Sequence, residues 1–259
     1  MNHTAEKVIA ILKLVSNNQN GMNITEISQS LHIPKSSTFD IVHTLLANGF
    51  LSVASEPLHT YRLGLESFCV GYAYLKNLDI CEIARPILSK LRDETGDTVF
   101  LAVRNDSQVA YLLKLISDSP LQTTSVVGSV KDLMVTGLGK AIISAMKDEE
   151  ALSIVTDEMI KGCNNSLIHD RDSLIKYMNN ARICGYAVDN GEENSSLISC
   201  VAAPIFNSEN KVIAAISNVT FSENMPEERQ AILGKKINVA AMEISRGLGY
   251  LGESLFPLV

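Results

Sequence analysis

Apolar residues recur at helical spacing near the start of the chain. Between Thr4 and Ser16 they form a single stripe, which predicts an amphipathic helix, and the turn-forming residues 16–21 end it. Asn23 and Glu26 then have the spacing of a capping box, in which each side chain satisfies a backbone amide of the other residue. We therefore expect a second, short helix to begin after Asn23.

The connection to the third predicted helix is tight. Only two residues separate the second helix from Pro34, which is favoured in the first turn of a helix, and Gly49 is placed to end the third helix. Two short helices joined so closely are typical of a helix-turn-helix. The strand-like runs 50–53 and 60–63 follow on either side of a turn, so residues 1–64 are predicted to form a winged helix-turn-helix domain.

Residues 65–78 are predicted to form a linker helix. Their apolar side chains cover more than one face and include a stripe formed by Leu65, Phe68, Cys69, Tyr72 and Leu75. A helix that is apolar over so wide an arc needs a partner surface, and a second copy of the same helix would supply one. We therefore expect this helix to dimerise, with packing inside a single chain as the alternative.

The remaining residues, 79–259, are predicted to form an α+β domain. Four runs have the length and the boundaries of strands: 99–103, 109–113, 200–206 and 212–217. The links at 105–107 and 207–210 are short enough for hairpins, which predicts antiparallel neighbours. Helical patterns occupy the ranges 80–95, 136–146, 149–156, 170–185 and 226–247.

The net charge of −7 does not by itself indicate a nucleic-acid-binding protein. The first 64 residues carry four basic and four acidic side chains, so the whole excess of acid lies in the remainder. A neutral domain collects few phosphate contacts alone, and a dimer would double their number. DNA binding is therefore inferred from the motif and not from the charge.

The composition argues against several other classes of protein. Five cysteines are dispersed, with no Cys-x-x-Cys pair and no nearby histidine cluster, so we expect no disulfide framework, no metal site and no cofactor. No apolar run reaches about 18 residues, the length of a membrane helix, and the N-terminus lacks the features of a signal peptide. We expect a cytoplasmic protein with no membrane partner.

The outward side of the third helix and the wing carry the candidate DNA-binding residues. They are Lys35, Ser36, Ser37, Thr38, Asp40, His43, Thr44 and Arg62. Hydroxyl side chains at the start of a recognition helix reach base edges and phosphates, and Lys35 and Arg62 would hold the DNA backbone. The alternative is that the hydroxyl residues are ordinary first-turn residues and that His43 is only a solvated or half-buried ring.

Three segments of this domain resemble the isocitrate-lyase-regulator (IclR) family: Ile24–Thr38, Leu45–Leu51 and Tyr61–Gly64. The resemblance implies a transcription regulator that binds double-stranded operator DNA as a homodimer or a homotetramer. It also implies repression that an effector relieves. Asp40 departs from the family, where a basic or neutral polar residue is common, and an acid here can accept a hydrogen bond from cytosine.

The second domain resembles the same family in five segments: Gly137–Ala141, Gly185–Asp189, Glu192–Glu193, Cys200–Ile205 and Ala214–Ser217. The resemblance implies a GAF-like fold, an antiparallel sheet with flanking helices that binds a small-molecule effector. The effector-binding residues that it implies are Gly137, Leu138, Asp189, Cys200 and Ser217. Backbone amides at a helix start hold an anion, while the acid, the thiol and the hydroxyl bond to polar groups of the ligand.

Each of these side chains also has a structural alternative. Gly137 would serve close backbone packing, Cys200 would be a core thiol and Ser217 would end a strand. The expected effector is a small organic or sugar acid. Val219 stands where the family has a second pocket serine, which leaves a more apolar ligand as the alternative.

Two other classes of function are alternatives. For an enzyme, the chain lacks a Gly-x-Ser-x-Gly elbow, a phosphate-binding loop and a metal-binding histidine pair, and His169 is the only histidine beyond residue 59. Cys200 has no visible base, so catalysis is not expected. The neutral first domain leaves a second alternative, a GAF-like sensor whose winged helix binds a protein instead of DNA.

Overall fold

The computed structural model describes residues 3–18, 20–55, 58–76, 79–117, 125–163, 167–190 and 197–256. The chain divides into two compact units, Met1–Leu78 and Asp79–Val259, each with buried apolar residues of its own. The first consists of helices with a small sheet, and the second of a large sheet with helices. Together they have the α+β class that the sequence predicts.

The first unit is the predicted winged helix-turn-helix followed by a helix. Its elements are α1 (His3–Ser16), β1 (Met22–Asn23), α2 (Ile24–Leu31), α3 (Lys35–Ala47), β2 (Leu51–Ser55), β3 (Thr60–Leu63) and α4 (Leu65–Lys76). The wing hairpin β2–β3 is antiparallel, and the two-residue strand β1, too short to show a periodicity in the sequence, adds to β3. The core behind these elements contains Ile11, Val15, Ile27, Val42 and Leu51.

Local hydrogen bonds hold both ends of α2. The Asn23 side chain accepts from the Glu26 amide at 3.0 Å, and the Glu26 carboxylate accepts from the Asn23 amide at 2.8 Å, which confirms the capping box. At the other end, His32 adopts a left-handed φ of 53°, and the Ser28 hydroxyl donates to the Ile33 carbonyl at 2.7 Å. These bonds turn the chain sharply enough to place α3 directly after α2.

Helix α3 begins one residue later than predicted. Pro34 is its N-cap, because a ψ of 137° keeps this residue extended. Gly49 ends the helix as predicted: its φ of 73° lets the chain fold back, and the Phe50 amide donates to the Leu45 carbonyl at 2.9 Å. The helix end therefore leads straight into the wing.

Within the described residues, the second unit has a six-stranded antiparallel sheet in the order β6-β5-β4-β9-β8-β7. Its strands are β4 (Thr98–Asn105), β5 (Gln108–Leu115), β6 (Val130–Asp132), β7 (Ala187–Asp189), β8 (Ile198–Phe206) and β9 (Val212–Phe221). Its helices are α5 (Asp79–Thr95), α6 (Gly137–Ser144), α7 (Asp148–Ile154), α8 (Asp157–Gly162), α9 (Arg171–Cys184) and α10 (Glu227–Gly247). The predicted hairpins β4–β5 and β8–β9 are present, whereas β6 and α8 were too short to predict.

Helices cover both faces of this sheet. Ser217 and Asn218 are neighbours on β9, so their side chains point to opposite faces. The Asn218 amide group donates to the Thr95 hydroxyl at 2.9 Å, which places the end of α5 on the Asn218 face. Gly137 at the start of α6 adjoins Cys200, whose register on β8 puts it on the Ser217 face. The predicted effector residues therefore share the α6 face.

No helix within the described ranges has the length and apolarity needed to cross a membrane.

Candidate functional site

Helix α3 presents one exposed side, as expected of a recognition helix. Ile41, Val42 and Leu45 turn inward to the core of the first unit. On the opposite side Ser37 is half-buried and five residues are exposed: Lys35, Ser36, Asp40, His43 and Thr44. Because an α-helix repeats every 3.6 residues, burial of one stripe leaves these residues open to solvent together.

Thr38 does not belong to this exposed side, and its prediction as a DNA-binding residue is wrong. The residue is fully buried, and its hydroxyl donates to the Pro34 carbonyl at 3.2 Å. Thr38 lies three and four residues before Ile41 and Val42, so helical spacing places it on the buried stripe. Its side chain stabilises the helix start and does not reach the surface that would meet DNA.

Phe39 is an exposed aromatic residue on α3 that was not predicted from the sequence. It is 49% exposed, and its ring centroid lies 4.1 Å from that of His43, with the ring planes tilted by 39°. The sequence spacing could have indicated its position, because residues four apart on a helix are neighbours and Phe39 stands four residues from both Lys35 and His43. It lies beside the predicted DNA-binding residues.

Arg62, the predicted phosphate contact on the wing, is exposed on β3. It pairs in register with Ser52 on β2, whose hydroxyl donates to the Leu63 carbonyl at 3.3 Å. The hairpin therefore holds a cation at the surface of a domain whose total charge is neutral.

The start of α6 forms the first part of the candidate effector site. Thr136 is its N-cap: the hydroxyl oxygen accepts from the Gly139 amide and the carbonyl accepts from the Lys140 amide, both at 2.9 Å. The two amides before them, those of Gly137 and Leu138, lie at the positive end of the helix and have no intrahelical partner. An anion bound there would complete their hydrogen bonds.

The sheet brings Asp189 and Cys200 against this helix start. The two residues are paired in register between β7 and β8, so their side chains share a face. A Cβ atom on Gly137 would overlap the Cys200 sulfur and would lie 3.2 Å from the Asp189 Cβ. Three of the predicted effector residues thus meet at one point. Gly137 also packs closely against the sheet, which is the structural role given above as the alternative to ligand binding.

Ser217 lies on the same face, two residues further along the strands. It pairs with Ala202 on β8 and with Phe100 on β4, and Ala202 is two residues beyond Cys200. Ser217 is buried in the middle of β9, so it does not end a strand. Leu138 is also buried, and it offers the site a backbone amide and an apolar wall.

Lys140 is a buried cation that was not predicted as a site residue. Its side chain is fully buried, and its Nζ lies 3.4 Å from Oδ2 of Asp189. Burying either charge alone would be costly, and their attraction offsets part of that cost. The sequence did contain a signal, because Lys140 stands inside the largely apolar run 138–146, where a solvated lysine is out of place.

Tyr111, Lys114 and Phe100 extend this face across β4 and β5. The Tyr111 and Phe100 rings meet edge to face with centroids 5.5 Å apart, and the Lys114 Nζ lies 5.6 Å from the Phe100 centroid. Burial raises the pKa of Tyr111, and although a hydrogen bond with Ser125 lowers it in part, the nearby Cys200 and Asp189 raise it further. The phenol is therefore protonated at neutral pH and can donate to a ligand oxygen.

One predicted segment of the site, which contains Glu192 and Glu193, falls within 191–196 and lies outside the described residues. Among the residues that the structure does describe, no group of three or more His, Cys, Asp or Glu side chains could hold a metal ion. The groups that do converge are backbone amides, an acid paired with the buried Lys140 ammonium, a thiol, hydroxyls and two aromatic rings. Such a set suits a small polar organic ligand.

Two family models match the chain. The IclR helix-turn-helix domain matches residues 4–54, and the C-terminal domain of the bacterial transcriptional regulator IclR matches residues 72–246. The chain belongs to the IclR family. It is a DNA-binding transcriptional regulator with a helix-turn-helix domain and a C-terminal effector-binding domain.

Sequence relatives and solved structures agree with this assignment. The HTH-type transcriptional repressor AllR of Escherichia coli (strain K12) is 31% identical over 244 residues, which cover 94% of this chain and 89% of AllR. The IclR structure from Thermotoga maritima is 27% identical with a TM-score of 0.79, covering 95% of this chain and 99% of its own. An IclR regulator structure from Alicyclobacillus acidocaldarius is 23% identical with a TM-score of 0.81, and the match covers 95% of this chain and 98% of the other. At this identity the similarity shows the fold alone.

Proposed function

We propose that this regulator is a repressor that binds operator DNA as a homodimer and releases it when a small molecule binds the second unit. The observation that carries the proposal is the exposed side of α3. The opposite side of this helix packs into the core of the first unit. A side that the fold leaves open at a helix start is available to enter the major groove. The similarity to the repressor AllR over 94% of this chain supports the direction of regulation.

The proposed DNA contacts are of two kinds. Lys35 at the start of α3 and Arg62 on the wing would bind phosphates, and the helix N-terminus adds a partial positive charge. The residues that would face base edges are Ser36, Ser37, Asp40, His43 and Thr44. Asp40 fits cytosine, whose N4 amino group donates a hydrogen bond in the major groove.

The helix α4 supports the homodimer. Leu65, Phe68 and Val70 are 72%, 63% and 59% exposed, which is a large apolar surface for one helix. Burial of this surface between two copies would be favourable because it removes apolar area from water. The side chains of Tyr72 and Leu75, the rest of the predicted stripe, lie outside the described residues.

We divide the chain by function into residues 1–64, which bind DNA, 65–78, which link and dimerise, and 79–259, which bind the effector. The homodimer is the smallest unit with two DNA-binding domains, and sedimentation distinguishes it from a homotetramer. Because the proposed target is operator DNA, we place the protein in the bacterial cytoplasm.

The proposed effector is a small organic or sugar acid. Its carboxylate would accept hydrogen bonds from the amides of Gly137 and Leu138, where the helix dipole favours negative charge. Asp189 would accept from a ligand hydroxyl, and the Cys200 thiol and the Ser217 hydroxyl would complete the polar contacts. All of these contacts bind the ligand and none changes it chemically, so we propose that the protein acts without catalysis.

A gel-shift assay with DNA from upstream of the protein's own gene tests the proposal. We expect a shifted band that weakens as salt rises, because release of counterions drives phosphate binding. Lys35→Ala combined with Arg62→Ala should weaken binding to every sequence and reduce the salt dependence by about one counterion per contact removed. Lys7→Ala combined with Lys13→Ala removes two charges from α1 as the matched control and should leave binding unchanged.

The absence of a shift on that DNA and on sequences from a random pool would contradict the proposal.

The effector is sought by adding a panel of small organic and sugar acids to the same assay. A compound that releases the DNA should also raise the melting temperature of the full chain. Ser217→Ala and Cys200→Val should weaken both effects without changing DNA binding in the absence of the compound. An unchanged response in both variants would contradict the proposed effector site.

A further inference from the structure

Phe39 interrupts the polar surface of α3 with a large apolar side chain. It is 49% exposed, whereas the exposed residues around it, Lys35, Ser36 and Asp40, are polar. An apolar ring in water is unfavourable, and the core of the first unit does not cover this one. Binding to DNA would therefore be more favourable if an apolar group of the DNA covered this ring.

The neighbouring imidazole restricts the Phe39 ring. The two ring centroids are 4.1 Å apart, and His43 stands one helical turn further along α3. Contact between two rings limits the rotation of each, so the exposed part of Phe39 has a defined position. A defined position allows the ring to recognise one group in the groove instead of making a diffuse contact.

The base edges in the major groove offer one kind of apolar group, the C5 methyl of thymine. We propose that Phe39, packed on His43, contacts a thymine methyl in each half-site and thereby selects thymine at that position. The inference rests on the proposed docking of α3 in the major groove. The polar residues of α3 would read hydrogen-bonding groups, and Phe39 would read the methyl.

Replacement of thymine by uracil tests this contact, because the two bases differ only in that methyl. Duplexes are first selected from a random pool with the full-length protein, and each thymine is then replaced in turn. We expect one position in each half-site where the replacement weakens binding by the wild type about fourfold, the effect of one methyl group lost from an apolar contact. Replacement at the other thymines should have little effect.

Phe39→Ala completes a double-mutant cycle. This variant should bind the thymine duplex more weakly than the wild type and should not distinguish uracil from thymine at that position. Ile9→Ala is the matched control, because Ile9 is 53% exposed on α1 of the same unit, and it should discriminate as the wild type does. Circular dichroism checks that both variants are folded, as expected for exposed positions.

Two results would overturn the inference: wild-type binding that is indifferent to uracil at every position, or discrimination that survives in Phe39→Ala. If Phe39→Ala dissociates the dimer and still discriminates, the ring packs against a second copy and the inference is wrong. If the pool yields no bound duplex at all, the proposed function has failed before this inference is reached. The two failures are therefore distinguishable.

Discussion

The contact between Gly137 and Cys200 determines how the candidate effector site is built. A Cβ atom at position 137 would overlap the Cys200 sulfur, so the start of α6 approaches the sheet as closely as a backbone without a side chain allows. The first-turn amides of α6 consequently lie next to Asp189. The buried Lys140 ammonium, 3.4 Å from the Asp189 carboxylate, adds a positive charge beside them.

Gly137→Ala tests this close approach. We expect the added methyl to lower the free energy of unfolding by about 1–3 kcal/mol, as overpacking does, and to weaken the effector response. Cys200→Ala in the same chain should recover most of the stability because it makes room for the methyl. Urea unfolding followed by circular dichroism measures both variants.

Gly162→Ala is the matched control for that substitution. A Cβ atom at Gly162 would meet nothing within 4 Å, so the free energy of unfolding should stay near that of the wild type. Equal stability of Gly137→Ala and the wild type would contradict the close approach.

Two helices begin with a capping box, but the carboxylate has a different position in each: it belongs to Glu26, three residues after the cap, in α2, and to the cap residue Asp170 itself in α9. Helix α2 is capped by the neutral Asn23, whereas α9 is capped by Asp170, which accepts from the Ser173 hydroxyl and amide, both at 2.7 Å. These two hydrogen bonds, the hydroxyl first, hold the pKa of Asp170 below its usual range. A carboxylate whose pKa is lower in the folded chain contributes stability above its unfolded pKa and loses it as the pH falls through the folded value.

Asp170→Asn keeps a capping side chain and removes the charge. From neutral pH to about pH 3, we expect the melting temperature to fall less in this variant than in the wild type, because only the wild type must protonate the capping carboxylate. Asp172→Asn changes a charge on the same helix outside the cap and should follow the wild type. If Asp170→Asn and the wild type show the same acid dependence, the cap does not act through its charge.

Charge is distributed unevenly along the chain. The net charge of −7 lies beyond residue 64, and the DNA-binding domain is neutral. A neutral domain with one lysine and one arginine at its proposed phosphate contacts gains little affinity alone. Joining two such domains makes the second contact intramolecular, which raises the affinity without a new contact. Dimerisation through α4 is thus the step on which we expect DNA binding to depend.

Leu65→Glu combined with Phe68→Glu tests that dependence. Both residues are exposed and apolar in the single chain, and two charges at the proposed interface should dissociate the dimer in sedimentation. Operator affinity in the gel-shift assay should then fall about 100-fold or more. Ile9→Glu, at another exposed apolar position, should change neither measurement. A dimer that persists in the double variant would show that the interface lies elsewhere.

Local signals were sufficient for much of the first unit and for the hairpins of the second. The capping box of Asn23 and Glu26, the helix end at Gly49 and the links at 105–107 and 207–210 were all predicted correctly. Each depends on residues that are close in the chain, so backbone geometry and side-chain chemistry specify it without the rest of the fold.

Packing between distant segments accounts for what the pattern did not predict. Thr38 is buried and Phe39 exposed because the core of the first unit covers one particular side of α3. Lys140 reaches Asp189 because β7 and β8 lie against α6, an arrangement that requires the complete sheet of the second unit. Periodicity tells which residues share a side of a helix or strand, but only the packed elements establish what that side meets.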